Sequence, residues 1–233
     1  VGSICAQPPV SIVIPMRNEA SSLETLVANL KELDPEPERI FVDGGSIDDS
    51  VALLESLGER VVQIKGSFRG GAMNLGAQLA QADLLVFLHA DSYVPQESYR
   101  AMVEHVSQGD IEAGAFSHRF QGVKESKRLR AMDWGVALRC KLFRCPYGDQ
   151  GFFITKSAWE QVGPYEDLPL MEDVEWFGRV KKHLSYLILS ECIETSPRRV
   201  FKTGCFRTCV TNSTLVLLYK MGVSPEQLAK RYY

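Results

Sequence analysis

Four short apolar runs, separated by stretches with helical spacing, set the main constraint on how this chain folds. "VSIVIP" (10–15) is a β-rich run closed by Pro15, after which Leu23, Leu26, Val27, Leu30 and Leu33 recur at the intervals of a helix with one buried face. "DPEPE" breaks that helix. "RIFVD" (39–43) is a second strand that stops at the turn "GGS", and Val51, Leu54 and Leu57 mark a short helix capped by Gly58. "RVVQI" (60–64) gives a third strand, residues 69–82 a further helix and "LLVFL" (84–88) a fourth strand. Strands this uniformly apolar are covered on both faces, which predicts a parallel sheet with helices packed against it.

In such a sheet ligands gather at the carboxyl ends of the strands. Here those ends carry Pro15-Met16-Arg17-Asn18-Glu19, Asp43-Gly44-Gly45-Ser46 and His89-Ala90-Asp91. Buried strands that run into imidazole and carboxylate groups predict a polar rim beside a cleft. The second half is less regular. "IEAGAFSHRF" (111–120) reads as a strand, residues 124–143 as a basic amphipathic helix and "GDQGFFIT" (148–155) as a turn entering a strand. "EDVEWFGRVKK" (172–182) reads as a helix, "YLILSE" (186–191) as a strand and residues 205–231 as mostly helical. No repeat, low-complexity tract or linker divides the chain, so one domain is expected.

A formal net charge of −3 over 233 residues offers no basic field for nucleic acid. Six cysteines (Cys5, Cys140, Cys145, Cys192, Cys205, Cys209) form no CxxC pair. That spacing suits neither a zinc site nor a disulfide scaffold and predicts reduced thiols in a cytoplasmic protein. "VGSICAQPPV" lacks the apolar core of a signal peptide. "STLVLLYKMG" is shorter than the about 20 residues that cross a bilayer, so no transmembrane segment is expected.

Each candidate site residue carries two readings. Asp43, followed by two glycines, can accept from a base N–H or a ribose hydroxyl, or can close an Asp-Gly turn. "SFRGGAMNLG" places Arg69 and Asn74 among small residues at a helix start, which suits either a phosphate or tight packing of that terminus. His89 and Asp91 can share a hard divalent cation with phosphate oxygens, or can pack and cap. Glu172 and Asp173 suit the positive end of a helix dipole, and a carboxylate there can also serve as a general base. Asp149 and Gln150 of "GDQG" line the same cleft or form a turn. Arg198 and Arg199, with Lys202, can neutralise a diphosphate or remain solvated.

Taken in order, "VSIVIPMRNE", "VDGGSIDDS", "RGGAMNLGA", "VFLHADS" and "MEDVEWFGRVKK" resemble the family 2 glycosyltransferases of GT-A fold over most of the chain. "GDQGFFI" and the tail from "SPRRVFKTGCFRTCVTN" onward resemble a small bacterial branch labelled arsenosugar-biosynthesis-associated glycosyltransferases. The resemblance implies an α/β GT-A domain, with a Rossmann-like, mostly parallel sheet flanked by helices and a C-terminal helical segment. It divides the single domain 1–233 into a nucleotide-binding half (about 9–92), an acceptor and catalytic half (about 93–203) and C-terminal helices (about 204–233).

The same resemblance implies inverting sugar transfer from a nucleotide-diphosphate donor, assisted by Mg²⁺ or Mn²⁺. Asp173 would be the catalytic base, with Glu172 in support. Pro15 and Glu19 would shape the nucleotide pocket and Asp43 would hold the base. Asn18, Arg69, Asn74 and His89 would also lie on the donor side. Asp91 would be the metal carboxylate, and Arg198 or Arg199 would hold the diphosphate. Asp149, Gln150 and Trp176 would face the acceptor. Two departures from the family pattern stand out. Gly44 replaces the second acid after the second strand, and His89 replaces the first acid of the Asp-x-Asp metal motif.

Lys124, Lys127, Arg128, Arg130, Arg139, Lys141 and Arg144 crowd one region, with Trp134, Leu138, Leu142 and Phe143 between them. Such a helix can lie on an anionic membrane or pack, solvated, on the sheet. A lipid-linked acceptor, and peripheral contact at the inner face of the membrane, therefore count among the expectations. Two alternatives remain: a non-catalytic nucleotide-sugar-binding protein, and a sugar-phosphate nucleotidyltransferase. The latter usually opens with a Gly-rich segment after the first strand, which "IPMRNEA" lacks.

Overall fold

A computed structural model describes residues 9–232. Cys5, and nearly all of the stretch read for a signal peptide, lie outside the described residues; the other five cysteines are free thiols. The first half follows the expected alternation: β1 (Ser11–Met16), α1 (Ala20–Lys31), β2 (Glu38–Asp43), α2 (Ser50–Ser56), β3 (Val61–Gln63), α3 (Arg69–Leu79) and β4 (Leu84–Phe87). Then come β5 (Ser92–Tyr93), α4 (Gln96–Ser107), β6 (Ala113–Phe120), α5 (Lys127–Phe143), β7 (Phe152–Thr155) and α6 (Lys156–Val162). The chain finishes with α7 (Glu172–His183), β8 (Tyr186–Thr195), α8 (Arg198–Thr203), α9 (Cys205–Lys220) and α10 (Pro225–Tyr232).

All these strands join one sheet in the order β3-β2-β1-β4-β7-β6-β8-β5. Neighbours among β1 to β4 are parallel, as is the β6–β8 pair. β7 runs antiparallel to both β4 and β6, and β5 antiparallel to β8. The protein is thus α/β, with a mostly parallel sheet flanked by helices.

The period of two along β1 explains why both faces are covered. Ile12, Ile14 and Met16 join a core with Leu23, Leu26 and Leu30 of α1 and with Tyr99 and Met102 of α4. Val13, between them, points the other way, into a core with Ala72, Met73 and Ala77 of α3 and Trp176, Phe177 and Val180 of α7. Two smaller clusters hold the rest. Phe120, Leu129 and Val200 tie α5 and α8 to β6, and Met171, Leu215 and Leu228 tie α9 and α10 to the start of α7. Each buried apolar side chain contributes about 1.5–3 kcal/mol. The tail is therefore anchored by far less buried surface than the sheet.

Candidate active site

The rim begins with two loops knitted together. The backbone N–H of Asn18 donates to Ser46 Oγ at 2.9 Å, and its side-chain oxygen accepts from the N–H of Ile47 at 2.8 Å. Glu19 N–H donates to Ser50 Oγ at 2.9 Å. Asp43, only 2% exposed, turns its carboxylate onto its own turn and accepts from the N–H groups of Gly45 at 3.2 Å and Ser46 at 3.0 Å, and from the Ser46 hydroxyl. The β1 and β2 ends are thereby fixed relative to each other.

Further along the rim, Arg69 at the start of α3 joins three elements. Its guanidinium donates to Nε2 of His89 at 2.9 Å, just past β4, and to the Glu172 carboxylate at the start of α7. Arginine has no acceptor, so His89 Nε2 must carry the lone pair. Burial, and then the Arg69 charge, hold the imidazole down to about 4, which keeps it neutral at neutral pH. Burial also raises the Glu172 carboxyl, with Arg69 opposing and Asp173 adding to the rise.

Asp173 follows directly. Its Oδ2 accepts from the N–H of Gly148 at 2.8 Å, and its Oδ1 from that of Val174 at 2.8 Å. A Cβ on Gly148 would lie 3.1 Å from His89 Nε2 and 3.2 Å from Asp173 Oδ2, so the absent side chain is what lets this backbone reach the two groups. Met171, immediately before the pair, has φ 72°, a left-handed conformation unfavourable for a side chain of this kind. Its buried packing against Leu215 and Leu228 holds it there.

Elsewhere on the rim, Arg198 pairs with Glu19 and stands 3.6 Å from Asp91 Oδ2. Burial raises the Asp91 carboxyl above its ordinary value; Arg198 pulls the other way, and the charges of Glu19 and Asp149 add to the rise.

A cavity of about 810 Å³ brings much of this together, with Arg69, His89, Asp91, Asp149, Asp173 and Arg199 in its wall. Arg199 also lies over the ring of Tyr232, 4.4 Å from its centroid. The opposite wall belongs to α5 and α9. Pro15, Asn18, Glu19, Asp43, Asn74, Gln150, Glu172, Trp176 and Arg198 do not line this cavity; Pro15 and Glu172 instead border a small pocket beside it with Arg69, His89 and Asp173. Asn74 is committed to the backbone of Tyr165, donating at 2.9 Å and accepting at 2.8 Å. Gln150 is fully buried; its amide donates to Phe116 O at 3.0 Å and accepts from Arg139 at 2.7 Å. Trp176 is 1% exposed, stacks on Tyr165 at 4.4 Å and belongs to the core rather than to an acceptor surface.

The small residues of "SFRGGAMNLG" serve close packing. A Cβ on Gly70 would meet Glu166 O at 2.4 Å, and one on Gly76 would meet Val13 Cγ1 at 2.2 Å. Asp167 caps this helix start, accepting from the N–H groups of Phe68 at 2.8 Å and Gly71 at 3.0 Å and from the Ser67 hydroxyl at 2.8 Å. These donors are satisfied within the chain, so of the two readings of this terminus the packing one is realised.

One cavity feature escaped the sequence reading. Thr195, in the wall, lies 2.7 Å from Nε2 of His118, whose Nδ1 lies 2.9 Å from Asp133. A carboxylate only accepts, so Nδ1 carries a proton and the ring is held between Asp133 and Thr195. The available signal was Asp133, the one acid between Ser126 and Gly148.

Among the described residues, no three His, Cys, Asp or Glu side chains are grouped closely enough to hold a metal ion unaided. The lone pair of His89 Nε2 is engaged by Arg69. Asp91 remains, with Asp149 beside it: Oδ1 of Asp149 is buried, has no hydrogen-bond partner among the described residues, and its charge acts on both His89 and Asp91. Such oxygen donors fit Mg²⁺ or Mn²⁺ when phosphate oxygens complete the shell.

The fold is that of the GT-A glycosyltransferases. Solved structures agree in fold: Staphylococcus aureus TarS in complex with UDP-GlcNAc (TM-score 0.63, 14% identity, 80% of this chain and 58% of that one) and the Pyrobaculum calidifontis mannosyltransferase with GDP-Man and Mn²⁺ (TM-score 0.61, 15% identity, 82% and 57%). The glycosyl transferase family 2 model matches residues 11–167, and the chain belongs to that family. It is 29% identical over 228 residues to an undecaprenyl-phosphate 4-deoxy-4-formamido-L-arabinose transferase of Sodalis glossinidius, covering 82% of this chain and 69% of that protein. A PGL/p-HBAD biosynthesis glycosyltransferase of Mycobacterium bovis is 28% identical over 176 residues, covering 69% and 64%. The chain thus spans about two thirds of the length of these curated relatives.

Proposed function

We propose that the protein transfers a sugar from a nucleotide-diphosphate donor to an acceptor hydroxyl, with inversion at the anomeric carbon. The observation that carries this reading is that Asp91 and Asp173, from distant parts of the chain, open onto one cavity. The nucleotide lies along Pro15, Asn18, Glu19 and Asp43, and its diphosphate meets Asp91 and Arg198. An acceptor hydroxyl attacks the anomeric carbon from the opposite face. Asp173 takes its proton as the new C–O bond forms, and the electron pair of the breaking bond leaves on the diphosphate, where Arg198 offsets the charge. Glu172 positions Asp173 through Arg69. A divalent cation at Asp91, with Asp149 as its second contact, would supply Lewis-acid stabilisation of the leaving diphosphate. The donor half then covers about 9–92, the acceptor and catalytic half about 93–203, and the C-terminal helices the remainder.

The cavity wall suits an acceptor with both an apolar and an anionic part. Phe120, Val136 and Leu215 are its apolar side, and Arg128, Arg139 and Arg199 its cationic side. A lipid-linked phosphate has this chemistry, and one relative is named for transfer to undecaprenyl phosphate. Such an acceptor is met at a membrane surface, and peripheral contact at the inner face is the localisation this reading takes. Membership of the arsenosugar-associated branch rests on the resemblance of "GDQGFFI" and the tail.

The test is release of nucleoside diphosphate from a panel of nucleotide sugars, with lipid-linked and soluble acceptors, with and without Mn²⁺. Turnover of one donor that requires an acceptor supports the reading. Tight donor binding without turnover under any condition identifies a non-catalytic binding protein instead.

A further inference from the structure

Two stretches of this net-negative chain are free of acids. Residues 134–148 and 195–225 contain eight Lys or Arg and no Asp or Glu. The first is most of α5, and the second holds α8 and α9. Both stretches reach the wall of the large cavity, through Arg139 and Phe143 on one side and Cys209 and Val216 on the other.

Each of the two long helices also turns an apolar stripe to solvent. On α5, Trp134, Leu138 and Leu142 recur every fourth residue, and Trp134 is 68% and Leu142 63% exposed. Lys127, Arg130 and Lys141 are exposed around them. Along α9 and its C-cap, Leu217 and Met221 stand seven and eleven residues on from Val210, the spacing of one helical face, with Leu217 59% and Met221 73% exposed. Solvated helices of globular proteins keep such stripes covered, and exposed apolar patches rimmed by charge mark a docking surface. The one acid of α5, Asp133, is turned inward to His118 and the N–H of Phe120, and interfacial tryptophan, flanking Lys and Arg, and two acid-free stretches together fit one partner: an anionic lipid leaflet.

We propose that the outer faces of α5 and α9 dock the protein on an anionic bilayer and bring the cavity mouth to the lipid. The proposal deepens the lipid-linked acceptor reading and rests on it for its purpose, though not for its test. Among the described residues nothing covers either stripe, and no helix is long and apolar enough to cross a membrane. Contact is therefore by surface docking.

The experiment is sedimentation of the 233-residue protein with vesicles of equimolar phosphatidylglycerol and phosphatidylcholine at low salt, against vesicles of phosphatidylcholine alone. Binding should be at least about tenfold stronger to the anionic vesicles and should fall with salt. The Trp134 emission should shift to the blue on binding and be quenched by brominated lipid. Three double variants, Trp134→Ser with Leu142→Ser, Leu217→Ser with Met221→Ser, and Lys127→Glu with Lys141→Glu, should each weaken binding at least about fivefold. None of these residues lines the cavity, so donor turnover without vesicles should persist. Equal binding to both vesicles, no binding, or full binding by any of the three variants overturns the proposal, as does a dimer in solution that shields Trp134 from quenching by a soluble quencher. Vesicle binding with no sugar transfer would count against the transferase reading alone.

Discussion

Arg69 donates to Nε2 of His89 and, through its other nitrogens, to the carboxylate of Glu172, a residue 103 positions away. One guanidinium thus locks the end of β4 to the start of α7 and holds Asp173 where the cavity begins. Glu172 is 2% exposed, so it depends on that partner for its charge.

Removing the partner should be costly. Arg69→Met should destabilise the fold by roughly 2–4 kcal/mol, short of the value for a fully buried pair because the Arg69 side chain is 39% exposed. Urea unfolding measures it. The double variant Arg69→Met with Glu172→Gln should recover part of the loss, since no buried charge is then left unpaired. Equal stability of the Arg69→Met variant and the native chain would show that Glu172 finds another partner.

His89 makes stability depend on pH with a definite sign. Its folded-state value is about 4, against 6.5 for the free side chain. Below 6.5 the unfolded chain takes up a proton that the folded chain refuses, so stability falls as pH drops from about 6.5 to about 4. The whole contribution is on the order of 3 kcal/mol. Asp91, raised in the folded state, works in the opposite direction and offsets part of it. Unfolding of the native chain and of His89→Gln at about pH 7 and about pH 4.5 isolates the effect. The variant should lose less stability on acidification, and an identical loss would contradict the assignment.

Gly148→Ala should be a catalytic defect with little loss of fold. The added methyl carbon falls 3.1 Å from His89 Nε2 and 3.2 Å from Asp173 Oδ2, so one of them must shift by a few tenths of an ångström. Turnover should fall about tenfold while donor affinity changes little, in line with the steep dependence of rate on placement. Calorimetry on the same preparation separates the two.

The strand-and-helix alternation of the first half was legible because each buried strand is a continuous apolar run and each helix shows a one-sided stripe. β1 to β4, α1 to α3, α5 and α7 lie where the periodicity placed them, and α9 and α10 fall within the one stretch read as mostly helical. The two-residue β5, the short α6 and α8, and the extension of β8 from Glu191 to Thr195 were not resolved by periodicity. They are too short or too mixed in polarity to show a period. Strand order is a property of distant pairs, so the antiparallel β7 wedged between β4 and β6 had no local trace. Asp91 and Asp173 were legible as polar groups at the ends of buried elements. Trp176 was misread because an aromatic next to a polar motif looks the same whether it faces a ligand or a core. The Asp167 cap and the His118–Asp133–Thr195 chain depend on partners from separate elements, which no window of sequence contains.

The cation should report on Asp149 as well as Asp91. Mn²⁺ binding in the presence of a nucleoside diphosphate, followed by electron paramagnetic resonance, should weaken at least about tenfold in Asp91→Asn and severalfold in Asp149→Asn. Asp149→Asn with unchanged Mn²⁺ affinity would remove that carboxylate from the cation's surroundings and leave it to the acceptor.

In the proposed transfer, Asp173 is the base that takes the acceptor's proton. The most direct measurement is sugar transfer by Asp173→Asn alongside calorimetric binding of the same donor. Transfer should fall by about 10²- to 10⁴-fold, with donor affinity within about twofold of the native chain. Transfer at the native rate, or loss of donor binding in step with loss of transfer, would contradict that role.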